Sequence, residues 1–138
     1  MEQRNIEKLN IFNLFRSLLI KKGNKQRAQT ILLQTCFKLK SMGYEPISIF
    51  SLAVLNAAPL IHLKSIRIRA TVYQIPTALT QIQQIKLGIK NIIENTDDIS
   101  ELYLELLHCV KGTGKTILKK IQIHKAAEKN QSFLNIKF

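Results

Sequence analysis

The stretch Lys64 to Pro76, K-S-I-R-I-R-A-T-V-Y-Q-I-P, sets Arg67 and Arg69 at alternate positions of an isoleucine-rich run. Its spacing reads as a β-hairpin from Leu60 to Ile75 with a turn near Arg69 to Thr71. Successive strand side chains point to opposite faces, so alternation predicts both arginines on one face, with Lys64 and Tyr73 nearby. Guanidinium forks match phosphate oxygens, and a tyrosine ring offers a plane for a base. That combination is how proteins meet folded or single-stranded RNA. Packing at the hairpin base is an equally open reading of Tyr73.

Working outward, the flanks read as helices. Ile6, Leu9, Phe12 or Asn13, Arg16 and Leu19 or Ile20 follow helical spacing, and Lys21-Lys22-Gly23 supplies cations and a glycine for the stop. Asn24 is positioned to cap a second helix reaching about Met42, with an apolar line of Ala28, Ile31 or Leu32, Cys36 and Leu39. Pro46 opens a third helix that Pro59 ends, apolar enough to be the buried centre. After the hairpin, Ile82, Ile85, Ile89 and Ile92 form one stripe and Lys86 and Lys90 another. Asp98 with Glu101 has a capping-box pattern for helix five, whose core face is Ile99, Leu102, Tyr103 and Leu106. Gly112 and Gly114 end it. Helix six runs from about Lys115 to Asn130, with an apolar edge of Ile117, Ile121 and Ala127. The expected fold is mainly α, a six-helix bundle with a protruding β-hairpin between the third and fourth helices, in a single domain over residues 1–138.

The hairpin resembles that of the small-subunit ribosomal protein seven family, whose bacterial and organellar members run close to K-S-R-R-V-G-G-x-T-Y-Q-V-P. A second block, Gly114 to Phe133, resembles the family's last helix, G-T-A-V-K-K-x-x-x-H-R-M-A-E-A-N-x-x-F, with His124, Ala127-Glu128, Asn130 and Phe133 in register. Phe15 to Ala28, F-R-S-L-L-I-K-K-G-N-K-Q-R-A, is similar to its first helix, basic turn and second-helix start. The resemblance implies a non-catalytic structural protein of the small-subunit head, without cofactor, that binds the 3′ major domain of the rRNA. It also implies a place near the mRNA exit and exit-site tRNA, with small-subunit protein eleven and other head proteins as neighbours. The candidate RNA contacts are Lys21, Lys22, Lys25 and Arg27; Lys64, Arg67, Arg69 and Tyr73; Lys86 and Lys90; and Lys115, Lys119, Lys120, His124, Lys125 and Asn130. For His124, packing between helices is the competing reading.

This sequence departs from the family pattern in places. The basic N-terminal arm is nearly absent, Arg69-Ala70 replaces a Gly-Gly tip, and Gln83-Gln84 stand where many members have arginines. The chain stops near the family's terminal aromatic. This trimmed form points to a mitochondrial ribosome, with a plastid or bacterial cytoplasm as the alternative. Abundant Ile, Lys and Asn agree with an AT-rich organellar genome, and M-E-Q-R-N-I-E-K lacks the acid-poor character of an import sequence.

Charge points the same way without the resemblance. The chain carries 21 Lys and Arg against 9 Asp and Glu, a formal +12, and 46% hydrophobic residues, enough for a core. From Lys8 to Ile93 the only carboxylate is Glu45. The acids gather at Glu94, Asp97, Asp98, Glu101 and Glu105, which reads as a face turned from the polyanion, toward solvent or a basic neighbour. Cys36 and Cys109 lie in apolar helical patterns and read as buried thiols rather than a disulfide. No apolar run reaches the roughly 18 residues of a membrane span, so no insertion is expected.

Other motifs dissolve on inspection. Gly112-Thr-Gly-Lys-Thr116 imitates a phosphate loop, but Cys109 stands where that motif needs glycine, and an amphipathic helix precedes it. His108 and Cys109 are adjacent, so they point apart on a helix and read as a surface His and a core Cys. A helical DNA-binding regulator, with helix two or six in a major groove, is the second reading. A membrane-surface protein is the third.

Overall fold

The computed structural model describes residues 2–135, and the side chains of residues 10–133. It contains six α-helices and one two-stranded antiparallel sheet: α1 (Glu2–Leu19), α2 (Lys25–Ser41), α3 (Pro46–Ala57), β1 (Ile61–Ile68), β2 (Thr71–Ala78), α4 (Gln81–Asn95), α5 (Leu102–Val110) and α6 (Lys115–Lys129). Short 3-10 turns cover Ile99–Glu101 and Gln131–Asn135. The expected bundle with a hairpin between the third and fourth helices is therefore the fold.

Local chemistry sets most boundaries. Asn24 caps α2, its Oδ1 accepting the Arg27 N–H at 3.1 Å, and Pro46 occupies the first turn of α3, where a missing N–H costs nothing. Thr80 and Gln83 form a reciprocal capping box at the start of α4. The Asp98 side chain accepts from Ser100 N and opens the 3-10 turn instead of α5 directly. That bond holds its carboxyl below the usual carboxylate range.

The core gathers on α3. Phe50 packs edge-on against Phe12 and Phe15, with ring centroids 5.4 and 5.0 Å away, among Ile11, Leu32, Leu39, Val54, Ile89, Ile92, Leu102 and Leu106. The α1 register differs from expectation: Ile11, Phe15 and Leu19 are the buried line, while the side chains of Ile6 and Leu9 lie outside the described residues. In α2, Thr35 is buried where Cys36 was expected and Cys36 is half-buried. Thr35 can take this place because its hydroxyl donates to Ile31 O at 2.8 Å.

Helix α3 is central on one side only. Leu52 and Leu55 stay exposed, and with Leu14, Ile82 and Ile85 they border a groove of 850 Å³ between α1, α3 and α4. Ile82 belongs to this open surface, not to the buried stripe. Ile121 is likewise exposed on α6.

Candidate nucleic-acid interface

The hairpin pairs Ile61 with Ala78 through Ile68 with Thr71, leaving Arg69 and Ala70 as a two-residue tip. Cross-strand partners share a face. Arg67 and Ser65 therefore share a face with Val72, whereas Lys64 and Ile66 share the opposite face with Tyr73 and Ile75. This corrects the expectation that both arginines, Lys64 and Tyr73 lie together. Arg69 is not in a strand at all. It holds a left-handed backbone, φ 56°, and its carbonyl accepts the Arg67 Nε–H at 3.2 Å. The sequence boundary was also short, because β2 continues through Pro76 to Ala78. Pro76 is tolerated because both strands of a two-stranded ribbon are edges.

Tyr73 is half-buried and meets Phe133 edge-on, centroids 5.2 Å apart, which favours the packing reading over a free stacking platform. Lys64, Arg67 and Arg69 are exposed. So are Lys21, Lys22, Lys25 and Arg27 around the α1–α2 turn, where Lys22 itself has φ 54°. Lys86 borders the groove beside Ile82 and Ile85. Among the described residues, none of these lysines and arginines has a carboxylate within ion-pair reach. Lys125 is in the same condition and exposed.

Lys90, Lys115, Lys119 and Lys120 are engaged. Glu94 brings Lys90 and Lys119 together, at 3.8 and 3.1 Å, and Lys115 pairs with Asp97 at 2.7 Å. Glu94 and Asp97 thus meet the basic neighbour that the sequence left open as an alternative to solvent, because the turn after α4 runs alongside the start of α6. Glu105 departs further. It is buried and accepts from Thr116 Oγ1 at 2.6 Å and Thr116 N at 3.3 Å. Gly114 has no side chain with which to cap α6, so a carboxylate from α5 satisfies one orphan N–H and complements the helix dipole. The segment before Gly112 is the helix α5, as expected, rather than a strand.

Lys120 and His124 point inward. The Lys120 ammonium donates to Asn56 O at 2.9 Å near the end of α3, and the Leu60 N–H donates to His124 Nε2 at 3.2 Å. His124 accepts through Nε2 there, so packing is the reading that its contacts support. Asn130 is the C-cap of α6, its N–H donating to Ala126 O. His108 is exposed and Cys109 buried, as expected, and burial pushes the Cys109 thiol up to about 11.

Two features had weaker sequence signals. Lys38 donates to Ser100 O at 3.0 Å and sits 4.7 Å over the Tyr103 ring, a contact between distant segments that no local pattern announces. Phe37 is 75% exposed beside Leu33, so α2 offers an apolar surface as well as its basic start. Their four-residue spacing was readable, but their exposure was not.

Comparison with known proteins places the sequence in a family. Residues 2–131 match the family described as ribosomal protein S7p/S5e. The chain is 33% identical over 136 residues to the small ribosomal subunit protein uS7m of Reclinomonas americana, covering 94% of this chain and 86% of that protein. It is 32% identical over 127 residues to uS7 of Syntrophus aciditrophicus (strain SB), covering 87% and 81%, and 32% identical over 123 residues to uS7c of Euglena gracilis, covering 84% and 79%. The chain belongs to the ribosomal protein S7p/S5e family and is a structural, non-catalytic component of the small ribosomal subunit.

Proposed function

We propose that this protein works as one rRNA-binding unit of the subunit head, gripping the 3′ major domain of small-subunit rRNA and supporting head assembly. The observation that carries the reading is the hairpin: Lys64, Arg67 and Arg69 are exposed on a ribbon without a carboxylate partner among the described residues. Such a ribbon repels itself in isolation, and a phosphate backbone relieves that repulsion. Lys21, Lys22, Lys25, Arg27, Lys86 and Lys125 supply further dispersed charge. Lysines act there as point charges, so they add affinity with little sequence choice, while shape selects the RNA fold.

The location that follows is the mRNA exit and exit-tRNA region, with protein eleven across the channel. The compartment we propose is the mitochondrion, supported by the similarity to a mitochondrial relative and by the Ile-, Lys- and Asn-rich composition.

Binding to the isolated rRNA domain across a salt series tests the mechanism. Affinity should fall steeply with salt, and Arg67→Ala with Arg69→Ala should weaken binding while circular dichroism stays unchanged. A flat salt response removes the electrostatic reading. Unchanged binding in the double variant removes the hairpin from it. Cofractionation with small mitochondrial subunits, plastid subunits or neither decides the compartment.

A further inference from the structure

A two-stranded ribbon is marginally stable alone and free to swing about its root. Here the root is immobilised from a distant part of the chain. Asn56 and Leu60 flank the buried Ala58 and Pro59, and both are held by α6. Lys120 binds the Asn56 carbonyl, and His124 receives the Leu60 N–H. Lys120 and His124 are one helical turn apart, so a single face of α6 carries both contacts. Leu79 N–H donates to Leu60 O at 3.3 Å, closing the ladder just below the first strand pair.

A third contact lies higher. Tyr73, opposite Ile66 in mid-ribbon, meets Phe133 from the 3-10 turn that follows α6. The ribbon is therefore fixed at its root by hydrogen bonds and along one face by an aromatic pair, all from residues after Gly114.

We infer that α6 and the turn after it form a splint that sets the direction in which the hairpin leaves the helical body, with Lys120, His124 and Phe133 as positioning residues rather than RNA ligands. For RNA recognition this inference rests on the proposed function. A fixed ribbon presents Lys64, Arg67 and Arg69 to the phosphates with its ordering cost already met in the free protein.

Amide hydrogen exchange on the full chain, paired with affinity and hydroxyl-radical footprinting on the isolated rRNA domain, tests it. His124→Leu and Phe133→Leu should speed exchange at Leu60 and at the paired amides of the hairpin by about five- to tenfold, with Ile89 and Ile92 unchanged. Both should also weaken affinity and blur the hairpin footprint. His124→Gln keeps an acceptor and Phe133→Tyr keeps a ring, so each should restore the wild-type values. Unchanged exchange in both leucine variants overturns the splint. Faster exchange with wild-type affinity and footprint, while Arg67→Ala loses them, overturns the positioning role and leaves the RNA reading standing. If Arg67→Ala also binds as wild type, the RNA reading of the hairpin fails, and exchange alone decides the splint.

Discussion

Arg69 holds a backbone conformation that costs an L-residue roughly 1–2 kcal/mol. Arg69→Gly should therefore raise the melting temperature by a few degrees, on the order of 1 kcal/mol of stability. The same change should lower the salt slope of RNA binding by about 1, because one phosphate partner is lost. Thermal melts and a salt series read the two effects separately. The cysteines make a second contrast. Burial raises both thiols above the ordinary 9.0, Cys109 to about 11, so at neutral pH both are protonated, with Cys109 the better shielded. Iodoacetamide should label Cys36 well before Cys109, as mass spectrometry would report. A raised thiol value favours the folded state fully below the unfolded value, and that contribution fades as pH climbs from 9 toward 11. Cys109→Ala should flatten this part of the stability profile. At this scale the sequence left roles open: Tyr73 and His124 each had two readings, and the contacts with Phe133 and Leu60 that support packing leave no trace in local spacing.

Helix α4 crosses α3 so closely that a Cβ on Gly88 would lie 3.0 Å from Ala58 Cα and 3.2 Å from Val54 O. Both are backbone atoms, which cannot swing aside. Gly88→Ala should destabilise the protein by about 1–3 kcal/mol in urea titration, despite alanine's better helix propensity. Helix α6 gives a sharper test. Lys120→Gln removes a charged donor from the end of α3 and should cost stability, about 1 kcal/mol or more, with the salt slope of RNA binding nearly unchanged. Lys125→Gln should do the reverse, leaving the melt unchanged and lowering the slope by about 1. Element boundaries were readable because Asn24, Pro46, Pro59 and the Gly112–Gly114 turn act locally. What those elements face was not. The α1 register slipped because Phe12 and Phe15 both suit an apolar stripe. The two hairpin arginines were placed together because the position of the turn, not alternation, decides where Arg69 falls.

Across the whole molecule, charge count was a better guide than charge position. The +12 excess and the acid-poor centre were plain in the sequence, but three of the acids lie against α6, where Glu94, Asp97 and Glu105 hold Lys90, Lys119, Lys115 and Thr116. Pairing across 18 or 25 residues depends on the tertiary path and leaves no periodic trace. The grip of α6 on the hairpin root carries a consequence for the order of folding. His124 and Leu60 are 64 residues apart, as are Lys120 and Asn56, so their contacts close loops that span nearly half of the chain. Loop-closure entropy makes such contacts late, whereas the i to i+4 bonds of α3 form locally. During synthesis the ribbon emerges well before the helix that secures it. In pulse-labelling during refolding, the Val54 amide should gain protection before the Leu60 amide. The hairpin then acquires its fixed aim late, once a segment made well after it has docked.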